Sequence, residues 1–90
     1  MKGNGYEITE KNILKHELIG LRTEVIKSSD PSRKGVKGKV IDETQNTIKI
    51  FDGETKIVPK KECVFAFDIG SKVVVDGKQI TKRPEDRIKE

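Results

Sequence analysis

A small, mainly β domain curled into a barrel is the fold class this sequence predicts, on three observations. Short β-branched segments recur along the 90 residues, parted by turn formers roughly every eight to twelve positions. Eight glycines are spread through the chain, as tight turns require. Ninety residues also leave room for one domain with a single modest core. Charged residues make up 38% of the chain and apolar ones 32%, a balance that folds only if the apolar positions are well patterned. Here they alternate with period two.

Residues 1–7 hold two glycines and no pattern, and read as a mobile tail. A helix is expected to open at Thr9 as N-cap, with Ile8 and Ile13 spaced as a hydrophobic staple and Leu14, Leu18 and Leu21 following at helical intervals to a stop at Gly20. Its apolar face either packs on its own domain or is offered to a protein partner. From Leu21 the period changes to two, giving a first strand to Lys27, with Leu21, Thr23 and Val25 on one side. Ser28–Ser32 is a loop.

A second strand is expected over Val36–Asp42, in which Gly38 marks a bulge or a close backbone approach. The polar run from Asp42 to Asn46 turns into a third strand, Thr47–Phe51. Asp52-Gly53 is a tight-turn signal before a fourth at Thr55–Val58. Pro59 to Glu62 breaks the pattern, Cys63–Phe67 resumes it, Val73–Val75 is a further strand, and Asp76-Gly77 turns the chain into a candidate strand at Lys78–Thr81; five or six such short strands describe a small barrel. Arg83 to Glu90 has proline and acids where a short helix would begin, and with Ile88 alone to bury it forms only against a partner. The domain is therefore expected to span residues 8–82, with 83–90 a short helix or tail.

Function follows from what is concentrated and what is missing. Lys27, Arg33, Lys34, Lys37 and Lys39 face one acid, Asp30, within a thirteen-residue stretch, while the rest of the chain is balanced. The net charge of +4 therefore sits beside one hairpin, and Lys60 with Lys61 forms a second, smaller patch. Clustered cations on a rigid base suit a polyanion, because counterions leave when phosphates arrive. Gly35 and Gly38 lack the Gly-Lys-Ser/Thr of a nucleotide-binding loop. His16 reads as a surface histidine and Cys63 as a small core residue, and neither has a neighbour in sequence to act as its base. Asp42 and Glu43 read as solvated turn acids, and Phe51, Phe65 and Phe67 as core. Serial stacking on single strands is thus disfavoured against recognition of folded RNA by shape and backbone. No catalytic residue, metal site, cofactor or disulfide is expected, and no membrane span or signal peptide is legible, which makes the cytoplasm the default.

Leu18-Ile19-Gly20-Leu21, then Ser28-Ser29-Asp30-Pro31-Ser32 with Gly35, Gly38 and Val40, then Asp42-Glu43-Thr44 with Asn46-Thr47-Ile48, and Pro59-Lys60 before Phe65 together resemble the archaeal ribonuclease P protein component 1 family. The likeness runs from Ile13 to about Arg87. It implies a six-stranded Sm-like or SH3-like antiparallel barrel with helical termini. It also implies a non-catalytic subunit, monomeric when isolated, of the ribonucleoprotein that removes 5′ leaders from precursor tRNA. In that family the RNA cleaves, and this subunit pairs with a zinc-ribbon subunit that holds any zinc. On that resemblance Arg33, Lys34, Lys37 and Lys39 are assigned to ribonuclease P RNA, and Ile13, Leu14 and Leu18 with the termini, Ile88 included, to the protein partner; the charge clustering adds Lys27, Lys60 and Lys61 to the RNA-binding set. Gly35, Gly38, Asn46 and Gly53 are structural turn or bulge positions. Two other readings compete. The glycine motif also occurs in ribosomal barrel proteins that bind ribosomal RNA, and a peptide-binding SH3-like adaptor would need the exposed aromatic groove that a chain without Trp hardly supplies.

Overall fold

The computed structural model describes residues 12–89. Six strands, β1 (Arg22–Ser28), β2 (Lys37–Glu43), β3 (Thr47–Phe51), β4 (Thr55–Pro59), β5 (Cys63–Asp68) and β6 (Lys72–Asp76), are followed by one helix, α1 (Pro84–Lys89). They form one antiparallel sheet in the order β4-β3-β2-β1-β5-β6. No ladder joins β4 to β6, so the sheet is open at those two edges and is not a closed barrel.

Alternation explains why these segments pair as they do. Thr23 and Val25 on β1, Val40 on β2, Ile48 and Ile50 on β3, Val58 on β4, Phe65 and Phe67 on β5 and Val73 and Val75 on β6 are all buried, and the intervening residues are mostly exposed. One face of the sheet thus supplies one core, into which Ile13, Leu18, Cys63 and Ile80 also pack. Burying a side chain of this size contributes about 1.5–3 kcal/mol, before the chain entropy that opposes it. Register shifts between Val25 and Lys27 and between Val40 and Asp42 place a bulge in β1 and in β2, which bends both central strands. Gly38 answers the other sequence expectation as a close approach: a Cβ there would collide with the Phe51 carbonyl oxygen. Gly35 and Gly53 turn the chain at φ of 92° and 99°. The exposed Asn46 accepts the Lys60 backbone N–H through its carbonyl at 2.7 Å.

Three sequence expectations change. Over the described residues the N-terminal helix is a single 3-10 turn, Ile13–Lys15, after which His16 is extended (φ −107°, ψ 155°). A continuing helix would hold Ile13 and Leu18 on different faces, whereas the extended link lets both reach the core, each 1% exposed. Gly20 does not stop a helix. Its N–H donates to the Val40 carbonyl at 2.8 Å and leads the chain into β1. Thr9, Ile8 and the tail 1–7 lie outside the described residues. The strand expected over Lys78–Thr81 is a 3-10 turn, Gly77–Ile80, because Asp76 and Gln79 close a capping box: the Asp76 carboxylate accepts the Lys78 N–H at 3.0 Å, and Gln79 Oε1 accepts the Asp76 N–H at 3.2 Å. Phe51, expected in the core, is 44% exposed on the outer face. The loop expected over Ser28–Ser32 begins as the last residue of β1 and runs into the 3-10 turn Pro31–Arg33, and the break after Pro59 is another, Lys60–Glu62.

Candidate nucleic-acid interface

The basic stretch folds into two separate neighbourhoods at opposite ends of β1. At one end Asp30 caps the Pro31–Arg33 turn. Its Oδ1 accepts the Ser32 N–H at 3.0 Å and the Ser32 hydroxyl at 2.8 Å, which holds the Asp30 carboxyl below its ordinary range, with Arg33 helping. The turn leans on Lys60–Glu62 through two contacts: the Ser29 N–H donates to the Glu62 carbonyl at 3.0 Å, and Arg33 Nη1 reaches Glu62 Oε1 at 2.7 Å and Asp30 Oδ2 at 3.4 Å. Arg33 thus bridges the 31–33 turn to the 60–62 turn by ion pairs with both Asp30 and Glu62.

That bridge assembles cations the sequence keeps far apart. Lys27 from β1, Lys61 from the 60–62 turn and Lys78 from the 77–80 turn line one groove of about 310 Å³, floored by Ser28, Ser29, Cys63 and Val64. The two acids on its rim are occupied, Glu62 by Arg33 and Asp76 as the cap of its own turn. Three exposed lysines thus face solvent around one concavity, with Lys34 exposed on the adjoining loop. Lys78 is absent from the sequence-derived basic set, since nothing in its local sequence joins it to Lys27.

At the other end of β1, Lys37 meets acids from distant segments. Arg22, Lys37 and Lys72 share a shallow hollow of about 240 Å³ with Glu24, Asp52 and Asp68, formed where the small residues Gly38 and Ala66 leave the outer face unfilled. Glu24 stands opposite Lys37, and Asp68 opposite both Arg22 and Lys72. This end carries matched charge, except at Lys39, which stands between Arg22 and Phe51 in a row that crosses β1, β2 and β3.

Lys60 is corrected outright. It is fully buried, and its Nζ donates to Glu43 Oε2 at 2.8 Å and to the carbonyls of Thr44 at 2.6 Å and Ile80 at 2.7 Å. Burial lowers its pKa, and the bond to Glu43 opposes that shift. Glu43 is no solvated turn acid either. Its carboxylate accepts both oxygens' worth of hydrogen bonds from Arg87 Nη2, at 2.7 and 2.6 Å, while Arg87 Nη1 donates to the carbonyls of Leu14 at 2.9 Å and His16 at 2.6 Å. One carboxylate therefore ties β2, the 60–62 turn, α1 and the N-terminal turn. Sequence reading missed it because two segments 44 residues apart supply the pair.

Of the residues assigned to a protein partner, Ile13 and Leu18 are core and unavailable, because the extended link after Lys15 carries them inward. Leu14 is partly buried against the core, and Ile88 is 43% exposed. Helix α1 does not wait for a partner to be placed, since Arg87 anchors it. Among the described residues there is no group of three or more metal-ligating side chains and no helix long and apolar enough to cross a membrane. Cys63 is buried with its thiol 3.5 Å from the Ser28 hydroxyl, and His16 Nδ1 lies 2.8 Å from the Glu17 carbonyl.

Residues 11–90 match the family described as Ribonuclease P/MRP, subunit p29. Proteins named "Ribonuclease P protein component 1" from Methanosphaera stadtmanae and Methanocaldococcus jannaschii are 52% and 48% identical to this chain, each alignment covering 91% of it and 91% and 90% of the relative. A solved structure described as Mth11, a homologue of human RNase P protein Rpp29, superposes with a TM-score of 0.60 at 43% identity, over 81% of this chain and 99% of that one. The match along nearly the whole chain, the identity to these relatives and the shared fold agree: this protein belongs to the ribonuclease P/MRP subunit p29 family.

Proposed function

We propose that this chain is an RNA-binding, non-catalytic subunit of ribonuclease P that steadies ribonuclease P RNA while the RNA removes 5′ leaders from precursor tRNA. The observation that carries the reading is the convergence of Lys27, Lys61 and Lys78 on one groove whose acids are already engaged. Such an arrangement gives phosphates several cations at fixed separations, which positions a nucleic acid without reading its bases. Lys34 and Lys39 extend the grip at either side. Arg33 shapes the loop, and Lys37 works against Glu24. Lys60 has no part in it.

The remaining surface leaves room for the zinc-ribbon subunit. Leu14 and Ile88, near the two described ends, are the positions of the original set still available to it. On this reading the isolated chain is a cytoplasmic monomer whose domain spans residues 8–82, with a tail at 1–7 and the C-terminal helix at 83–90, and the sheet approaches a barrel of the Sm-like kind. Competition from ribosomal RNA marks the alternative role, supported by the same glycines, Gly35 and Gly38. Native co-purification followed by sequencing of the bound RNA separates the two. Recovery of ribonuclease P RNA, with no cleavage of precursor tRNA by the RNA-free protein, is expected. Recovery of ribosomal RNA in its place, or turnover without RNA, overturns the proposal.

A further inference from the structure

Phe51 ends β3 on the face opposite Ile48 and Ile50, where it remains 44% exposed. Its carbonyl lies so close to Gly38 that no side chain could stand there. Ile57 lies diagonal to it through the cross-strand pairs Phe51–Thr55 and Lys49–Ile57, and Ile41 stands at the β2 bulge, 61% and 41% exposed. On its other side Phe51 pairs with Lys39, and Lys39 with Arg22, so ring, ammonium and guanidinium follow one another across three adjacent strands about 4.8 Å apart. An exposed apolar patch marks a binding surface, and the cations in line with it decide for what. Arg22 already stands opposite Asp68, but Lys39 has no acid across from it on either neighbouring strand, and a purely apolar partner would leave it unanswered. A nucleotide answers ring and ammonium together, with its base on the ring and its phosphate toward Lys39.

We infer that Phe51, flanked by Ile57 and Ile41 and continued by Lys39 and Arg22, is a stacking platform for one unpaired nucleobase of the bound RNA. The inference rests on the RNA-binding reading and adds a second contact to it. Arg22 and Lys27 share β1 five residues apart, roughly 17 Å in an extended strand, so a single RNA segment can touch the lysine groove and the platform together.

The test uses the full chain, oligoadenylate and an abasic oligomer of the same length, at fixed salt. Phe51→Ala is expected to weaken oligoadenylate binding by about 5- to 150-fold without altering its salt slope. Phe51→Tyr is expected to retain binding, and the abasic oligomer to bind the parent and Phe51→Ala alike. Unchanged oligoadenylate binding by Phe51→Ala, an equal loss with the abasic oligomer, or no oligoadenylate binding by the parent would each overturn the platform. The Lys27→Ala/Lys61→Ala/Lys78→Ala variant is measured beside it on ribonuclease P RNA. Loss there with Phe51→Ala silent removes the platform alone, whereas a silent triple variant removes the lysine groove and leaves the Phe51 result to stand by itself.

Discussion

Glu43 answers two buried cations at once, and that makes it the residue on which stability turns. Removing it strands Lys60 and Arg87 in the interior without a counter-charge, so Glu43→Ala is expected to cost about 3–5 kcal/mol in urea denaturation. Lys60→Met is milder, because it fills the same space and leaves Glu43 paired with Arg87. It should also leave RNA affinity untouched, which separates the buried lysine from its exposed neighbour Lys61. A Glu43→Ala protein as stable as the parent would show that the network is ornamental. Acid acts at a different residue. The Asp30 carboxyl is held below its ordinary 3.8 chiefly by Ser32. A depressed carboxyl pKa means that its contribution is complete above 3.8 and fades as pH falls through the lowered value. Amide exchange at Ser32 and Arg33 should therefore quicken only in that acid range, and Asp30→Ala should show the fast exchange at neutral pH. Equal protection in the variant would remove Asp30 as the cap.

At the scale of elements, the strands were legible because alternation and turn chemistry are local. Thr47–Phe51 was read at its observed ends, and the other five strands within a few residues, since β-branched runs bounded by glycine and proline have few alternatives. The same alternation already set Phe51 opposite Ile48 and Ile50, so its exposure was readable and the aromatic character misled. The Gly77–Ile80 turn likewise announced itself through Asp76 and Gln79 at capping-box spacing. The N-terminal turn was less accessible. Leucines at helical intervals fit a helix equally well, and the competing demand that Ile13 and Leu18 both enter the core appears only once the sheet is in place. Helix α1 has the same dependence on distant groups. At six residues it is too short to persist alone, and Arg87 supplies its hold. Arg87→Met should abolish amide protection across Pro84–Lys89 while β1 to β5 keep theirs. Protection that survives would mean the helix is held by packing alone.

Over the whole molecule, net charge points to a polyanion, while the fold decides which cations stand together. The basic stretch looked like one patch in sequence. Folding set Lys37 opposite Glu24 and gave Arg33 to Glu62, while Lys78, 51 positions from Lys27, joined it and Lys61 around the groove. Burial and pairing redistribute a charge pattern in ways that linear spacing cannot register, because the acids that cancel a lysine come from other strands. What remains after cancellation is the claim on which the account stands: a polyanion is gripped by lysines from three separate segments. Its most direct test is the salt dependence of ribonuclease P RNA binding by the Lys27→Ala/Lys61→Ala/Lys78→Ala protein. Three lost phosphate contacts should flatten the slope of log affinity against log salt by roughly 2 to 3 units, at about 0.7–0.9 per contact. A slope equal to the parent's would contradict the account.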